Sequence, residues 1–150
     1  MPRLLPILSV SSERGEVNEP ISIRALKRFV AERPPEGDVR RIKFVPPTGK
    51  KVAIIGAGPA GMVAAYYLSR VRGHSVTIFE ALPEAGGMMR YGIPAYRLPR
   101  KVLDSQIDLV RQSGVDIKTN TKIESLDELF AQGYSAIFVA VGAHRGQKLG

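Results

Sequence analysis

Apolar and polar residues change rhythm repeatedly along this chain, and the changes mark out its elements. Val52–Ile55, Ser75–Phe79, Val115–Lys118 and Ser135–Val141 are short runs with apolar residues at every or nearly every second position. Such runs, rich in Val and Ile, predict strands; a wholly apolar one such as Val52–Ile55 predicts a strand buried on both faces. Between them the period lengthens. Met62, Ala65, Tyr66 and Ser69 share one side of a helix predicted from Pro59 to about Val71, ended by Gly73. Leu103, Ile107 and Val110 do the same from Arg100 to Ser113, before Gly114. Leu126–Phe130 predicts a short helix before Gly133. Strands alternating with helices predict a doubly wound, mostly parallel α/β sheet. Leu82–Pro99 predicts a long loop containing Gly and Pro, of a length often tied to function.

Upstream the pattern differs. Residues 1–19 carry few structural signals and read as irregular. Asn18-Glu19-Pro20 reads as a helix start, followed by Ile21, Ala25, Leu26 and Phe29 at helical spacing with Arg24, Lys27 and Arg28 turned outward. Pro34-Pro35 blocks continuation. Residues 34–50 hold four prolines and two glycines and read as a linker. The expected organisation is an N-terminal helical segment and linker over 1–49 and a globular domain over 50–150. The amphipathic helix needs a surface against its apolar face, supplied by the following domain or by a partner.

The first strand runs into Gly56-Ala57-Gly58-Pro59-Ala60-Gly61, a G-x-G-x-x-G turn that opens a helix. Gly56 permits the tight turn, Gly58 lets backbone approach a pyrophosphate, and Gly61 lets helix and strand pack closely. The helix starting near Pro59 aims free N–H groups and its positive dipole end at phosphates. The second strand ends at Glu80, 24 residues after Gly56, near the usual spacing for a carboxylate that accepts hydrogen bonds from ribose hydroxyls. Strand, turn, helix, strand and carboxylate together predict a Rossmann-like dinucleotide site. A carboxylate there repels a ribose phosphate, favouring FAD or NAD over NADP.

Composition narrows the chemistry. The 150 residues include no cysteine, which removes disulfides, thiolate zinc sites and cysteine-ligated iron–sulfur clusters from this chain. No apolar stretch approaches a membrane span and Pro6 breaks the short Leu4–Val10 run, so a cytoplasmic protein is expected. The net charge of +8 is spread evenly: ten Lys/Arg against six Asp/Glu in residues 1–50, twelve against eight in 51–150. Nucleic-acid binders more often concentrate such charge in a stripe. Asp104 and Asp108 lie four apart on one helix but are surrounded by Arg100, Lys101 and Arg111, and read as a solvated face. No arrangement of nucleophile, base and orienting acid is visible.

A longer set of motifs is more specific. Val52–Gly61, Thr77-Ile78-Phe79-Glu80, Gly86-Gly87-Met88-Met89-Arg90-Tyr91-Gly92-Ile93-Pro94, Arg97-Leu98-Pro99 and Val139-Ala140-Val141-Gly142-Ala143 occur in that order. Together they resemble the FAD domain of the glutamate synthase small-subunit family, which includes the matching domain of dihydropyrimidine dehydrogenase. Asn18–Phe29 also resembles that family, where the segment closes an iron–sulfur module. The resemblance implies an FAD site made by Gly56, Gly58, Pro59, Ala60, Gly61 and Glu80, with Gly86, Gly87 and Met88 near the pyrophosphate and flavin. It further implies Arg97 on a cofactor phosphate, Ile123 at the adenine, and Gly142 in close approach to the cofactor.

The same resemblance implies electron transfer from NAD(P)H through FAD to iron–sulfur centres or a partner subunit. Two departures qualify it. The family's cluster cysteines are replaced by Ser9-Val10-Ser11-Ser12-Glu13-Arg14, and no second G-x-G-x-x-G follows the first. The expectation is therefore an FAD-binding piece of a longer oxidoreductase, with NAD(P)H bound only by the complete protein and no cluster on this chain. Other readings of the residues are a non-catalytic nucleotide-binding adaptor that docks a partner subunit, and a dehydrogenase using the turn for NAD.

Overall fold

The computed structural model describes residues 21–32 and 45–143. The chain divides into two units, Met1–Arg41 and Ile42–Gly150. In the first, α1 spans Ile23–Glu32. The Ser22 carbonyl accepts the Leu26 N–H at 3.1 Å, so Ser22 occupies the cap position, where serine is favoured. The start expected at Asn18-Glu19-Pro20 lies outside the described residues.

The second unit contains, in order, β1 (Lys51–Ile55), α2 (Pro59–Arg70), β2 (Ser75–Phe79), α3 (Met88–Tyr91), α4 (Arg100–Gln112), β3 (Asp116–Lys118), α5 (Leu126–Ala131) and β4 (Ala136–Val139). The four strands form one sheet in the order β3-β2-β1-β4, every pair parallel. In register, Ile54 lies beside Ile78 on one side and Phe138 on the other. This is the Rossmann-like α/β fold expected from the alternation of elements.

Alternate strand residues build a core on each face. Ile54, Val76 and Ile78 pack with Met62 and Ala65 of α2 and with Leu103, Ile107 and Val110 of α4. Ala53 and Phe79 point the other way, to Leu129 of α5. Ile54 and Ile78 are fully buried, each worth roughly 1.5–3 kcal/mol in apolar burial. The central strands β1 and β2 therefore carry both faces of the domain, and the site at their C-terminal ends rests on its most buried part.

Three differences from the sequence reading go beyond one residue at an element's end. β4 stops at Val139 rather than Val141, because β1 ends at Ile55 and its continuation turns away at Gly56; one further bond, Ala140 N–H to the Ile55 carbonyl at 2.8 Å, closes the ladder. The stretch expected as a loop, 82–99, contains the single-turn helix α3. Four residues are too few to show a helical period. Residues 45–50, expected as linker, are tied to the domain: the Thr48 N–H donates to the Gly73 carbonyl at 2.9 Å, and its hydroxyl lies 2.6 Å from His74 Nδ1.

Candidate functional site

The C-terminal ends of β1, β2 and β4 open into a cleft of about 420 Å³. Open parallel sheets characteristically bind ligands at this end. Gly56 makes the first turn with φ of +105°, and a Cβ there would meet the Ala140 carbonyl oxygen at 2.5 Å. Glycine is required on both counts. Gly61, in the first turn of α2, is needed for packing, since a Cβ there would strike the Gly56 carbonyl oxygen. Gly58 is different. Its φ of −77° suits any residue, and a Cβ would meet nothing within 4 Å. It lines the cleft, so its missing side chain leaves space only on the cleft side.

Helix α2 begins at this turn with Pro59 in its first turn, and no side chain caps it. Pro59 has no N–H to satisfy, and the following amides retain the donors that a helix start leaves unpaired. Pro59 and Ala60 line the cleft. Uncapped amides and the positive dipole end together favour an anion there.

Glu80 is 7% exposed and lines the same cleft. Its Oε2 accepts the Ala57 N–H at 2.8 Å and its Oε1 accepts the Leu82 N–H at 2.9 Å. The carboxylate thus ties the end of β2 to the glycine turn. Each oxygen keeps a second acceptor site, so the group can still receive hydroxyl donors from a ligand.

The second glycine pair closes one wall. Gly86 donates its N–H to the Ala57 carbonyl at 2.9 Å, and Gly87, with φ of +52°, sits so close to the first turn that a Cβ would lie 2.8 Å from Gly58 Cα. Met88 follows, 60% exposed, on the cleft. Ile123, half-buried, lines the cleft and also packs beneath α5. Gly142 lines the mouth with φ of +72°.

The fold therefore gathers Gly56, Gly58, Pro59, Ala60, Glu80, Gly87, Met88, Ile123 and Gly142 around one space. Gly61 and Gly86 lie behind this lining and shape it. Arg97 is elsewhere: exposed, outside the lining, with its guanidinium 6.0 Å from the Tyr96 ring centre. Thr121 and Lys122 line the cleft as well. No motif marked them; they arrive because the backbone after β3 returns to β2, the Thr121 N–H donating to the Glu80 carbonyl at 2.8 Å. Asp104 also departs from expectation. It is half-exposed and ion-paired to Arg90, rather than merely solvated, while Asp108 pairs with Arg111 on the surface at 3.2 Å.

Residues 54–113 match the model of a family described as an NAD(P)-binding Rossmann-like domain. The chain is 45% identical to the NADP(+)-dependent formate dehydrogenase subunit beta of Moorella thermoacetica, over 91% of this chain and 23% of that one. It is 44% identical to the glutamate synthase (NADPH) small chain of Bacillus subtilis, over 68% of this chain and 21% of the relative. The chain is a homologue of the beta and small subunits of NAD(P)-dependent oxidoreductases. The kinship with glutamate synthase small chains, expected from the motifs, is met. Among solved structures, histamine dehydrogenase from Rhizobium sp. 4-9 superposes with a TM-score of 0.57 at 25% identity, covering 70% of this chain and 16% of that one.

The chain spans about a fifth to a third of the length of the curated relatives it matches. The matched stretch 54–113 includes both glycine segments and Glu80, whereas Ile123 and Gly142 lie beyond it. Among the described residues, no helix is long and apolar enough to cross a membrane.

Proposed function

We propose that the cleft binds FAD, and that this chain is the FAD-binding part of an NAD(P)H-linked flavoprotein oxidoreductase. One observation carries the ligand reading: Gly58 lacks a side chain although neither its backbone nor any protein neighbour requires it. The open space beside an uncapped helix start suits a pyrophosphate. Under this reading the amides of the glycine turn and of α2 hold the phosphates. Glu80 accepts hydrogen bonds from the adenosine ribose hydroxyls, already oriented by the Ala57 and Leu82 N–H groups. Gly87 and Met88 form the wall toward the flavin portion, and Ile123 and Gly142 border the remaining mouth.

The choice of FAD over NAD rests on the Gly86–Pro99 string and its resemblance to the glutamate synthase small-subunit family. A bound flavin would supply the redox chemistry between a nicotinamide and the onward electron acceptor. The residues of this chain position and exclude; no acid, base or nucleophile is assigned. The relatives' names describe subunits, which supports a partner subunit as the recipient of those electrons.

The visible absorbance of the purified chain, incubated with FAD and desalted, tests the reading. A flavin band should persist, and Gly58→Glu should abolish it by filling the phosphate space with an anion. Equal retention by wild type and Gly58→Glu would count against the site. A folded chain that retains no FAD but binds NAD would favour the dehydrogenase reading.

A further inference from the structure

We infer that Arg90 is a positioning residue for this cleft, holding the Gly86–Met88 wall against the glycine turn. The inference rests on the dinucleotide reading for its purpose and on the geometry alone for its mechanics. Arg90 is 8% exposed, a rare state for arginine that requires partners. It has them on both sides. Its Nε donates to the Ala85 carbonyl at 2.6 Å, and one terminal nitrogen donates to Glu84 Oε1 at 3.2 Å, both just before the glycine pair. The other terminal nitrogen pairs with Asp104 on α4. Its own N–H donates to the Gly87 carbonyl at 2.9 Å.

One residue thus binds the chain before the glycines, the carbonyl between them and Met88, and a core helix. The glycines need such a fastening. Both have positive φ, and neither carries a side chain with which to anchor the wall. The wall touches the first turn through the Gly86 N–H to Ala57 and the contact of Gly87 with Gly58. Leu103 presses from behind, 3.1 Å from where a Gly86 Cβ would lie. The guanidinium fork suits this task better than an ammonium, because its fixed donors are spread over three nitrogens and reach three separate acceptors.

The test combines two measurements on the full chain. Amide hydrogen exchange of the ligand-free protein should accelerate locally, over residues 84–92, in Arg90→Gln and, to a smaller degree, in Asp104→Asn. The β1 and β2 amides should remain protected. A merely structural loss would instead speed exchange throughout the core. FAD affinity, read by titration, should weaken about tenfold or more in Arg90→Gln, as expected when a charged hydrogen bond holding the wall is lost. The double variant should weaken no further than Arg90→Gln alone, since both changes break one link.

Unchanged exchange over 84–92 in both variants would overturn the inference, as would uniform acceleration. Local acceleration with unchanged FAD affinity would also overturn it, leaving Arg90 as a loop fastening with no bearing on the site. Wild type that binds no FAD would instead sink the cofactor reading, and the exchange pattern would still decide whether Arg90 holds the wall.

Discussion

Two glycine segments meet at the floor of this cleft and are built on different physics. Gly56–Gly61 is held from within the sheet: by a positive φ at Gly56, its close approach to Ala140, Gly61 against the Gly56 carbonyl, and the Glu80 carboxylate at the end of β2 on the Ala57 N–H. Gly86–Gly87 also takes positive φ at both residues, but its place is secured from outside, by a buried arginine reaching back to α4. The first segment lies between the buried strand β1 and the helix α2, and cannot move without disturbing both. The second belongs to a connection whose only regular element is a single helical turn, so side-chain bonds must replace the missing ladder. A segment's rigidity here follows from what it is fastened to, not from its glycine content.

The comparison can be broken most sharply at Gly61. Gly61→Val should lower stability by about 3 kcal/mol or more, because the added atoms meet a carbonyl on a buried strand end that cannot retreat. Thermal unfolding measures it, and a midpoint equal to wild type would show that the first turn is more compliant than its contacts suggest.

Gly87→Ala should have an intermediate effect, about 1–3 kcal/mol, since its backbone conformation is strained for any other residue and its neighbour is the Gly58 backbone. Chemical denaturation would report it. A loss as large as that of Gly61→Val would erase the distinction between the segments. The expected companion is faster exchange confined to the wall.

Gly58→Ala should have the smallest effect on stability, within about 0.5 kcal/mol, because its backbone is ordinary and its surroundings open. Its effect should fall on binding: weaker FAD retention with an unchanged unfolding curve. Simultaneous loss of stability would mean that Gly58 serves the fold rather than a ligand.

How much of this was legible in the chain differs residue by residue. The first glycine turn and Glu80 could be read because the constraints are local: a strand, a turn and a helix in immediate succession, with a carboxylate one strand later. The second pair could be recognised only by resemblance, since Gly-Gly followed by Met has no unique conformation. Lys122 and Thr121 carried no signal, because nothing nearby in sequence distinguishes a return loop at the cleft from one at the surface. Arg97 shows the converse. A motif marked it, yet the backbone after α3 leaves it outside the lining, beside Tyr96.

By itself the sequence determined the element order apart from the single-turn α3, the parallel α/β class and the glycine turn after β1. Each follows from periodicities and steric rules that act over a few residues. Only the tertiary structure decided that Arg90 spans from Ala85 to Asp104, that Glu80 grips the turn through Ala57, and that Gly87 presses on Gly58. Apart from the bond to Ala85, those contacts join residues 14 to 29 positions apart, whose meeting depends on how β1, β2 and α4 pack around one buried core.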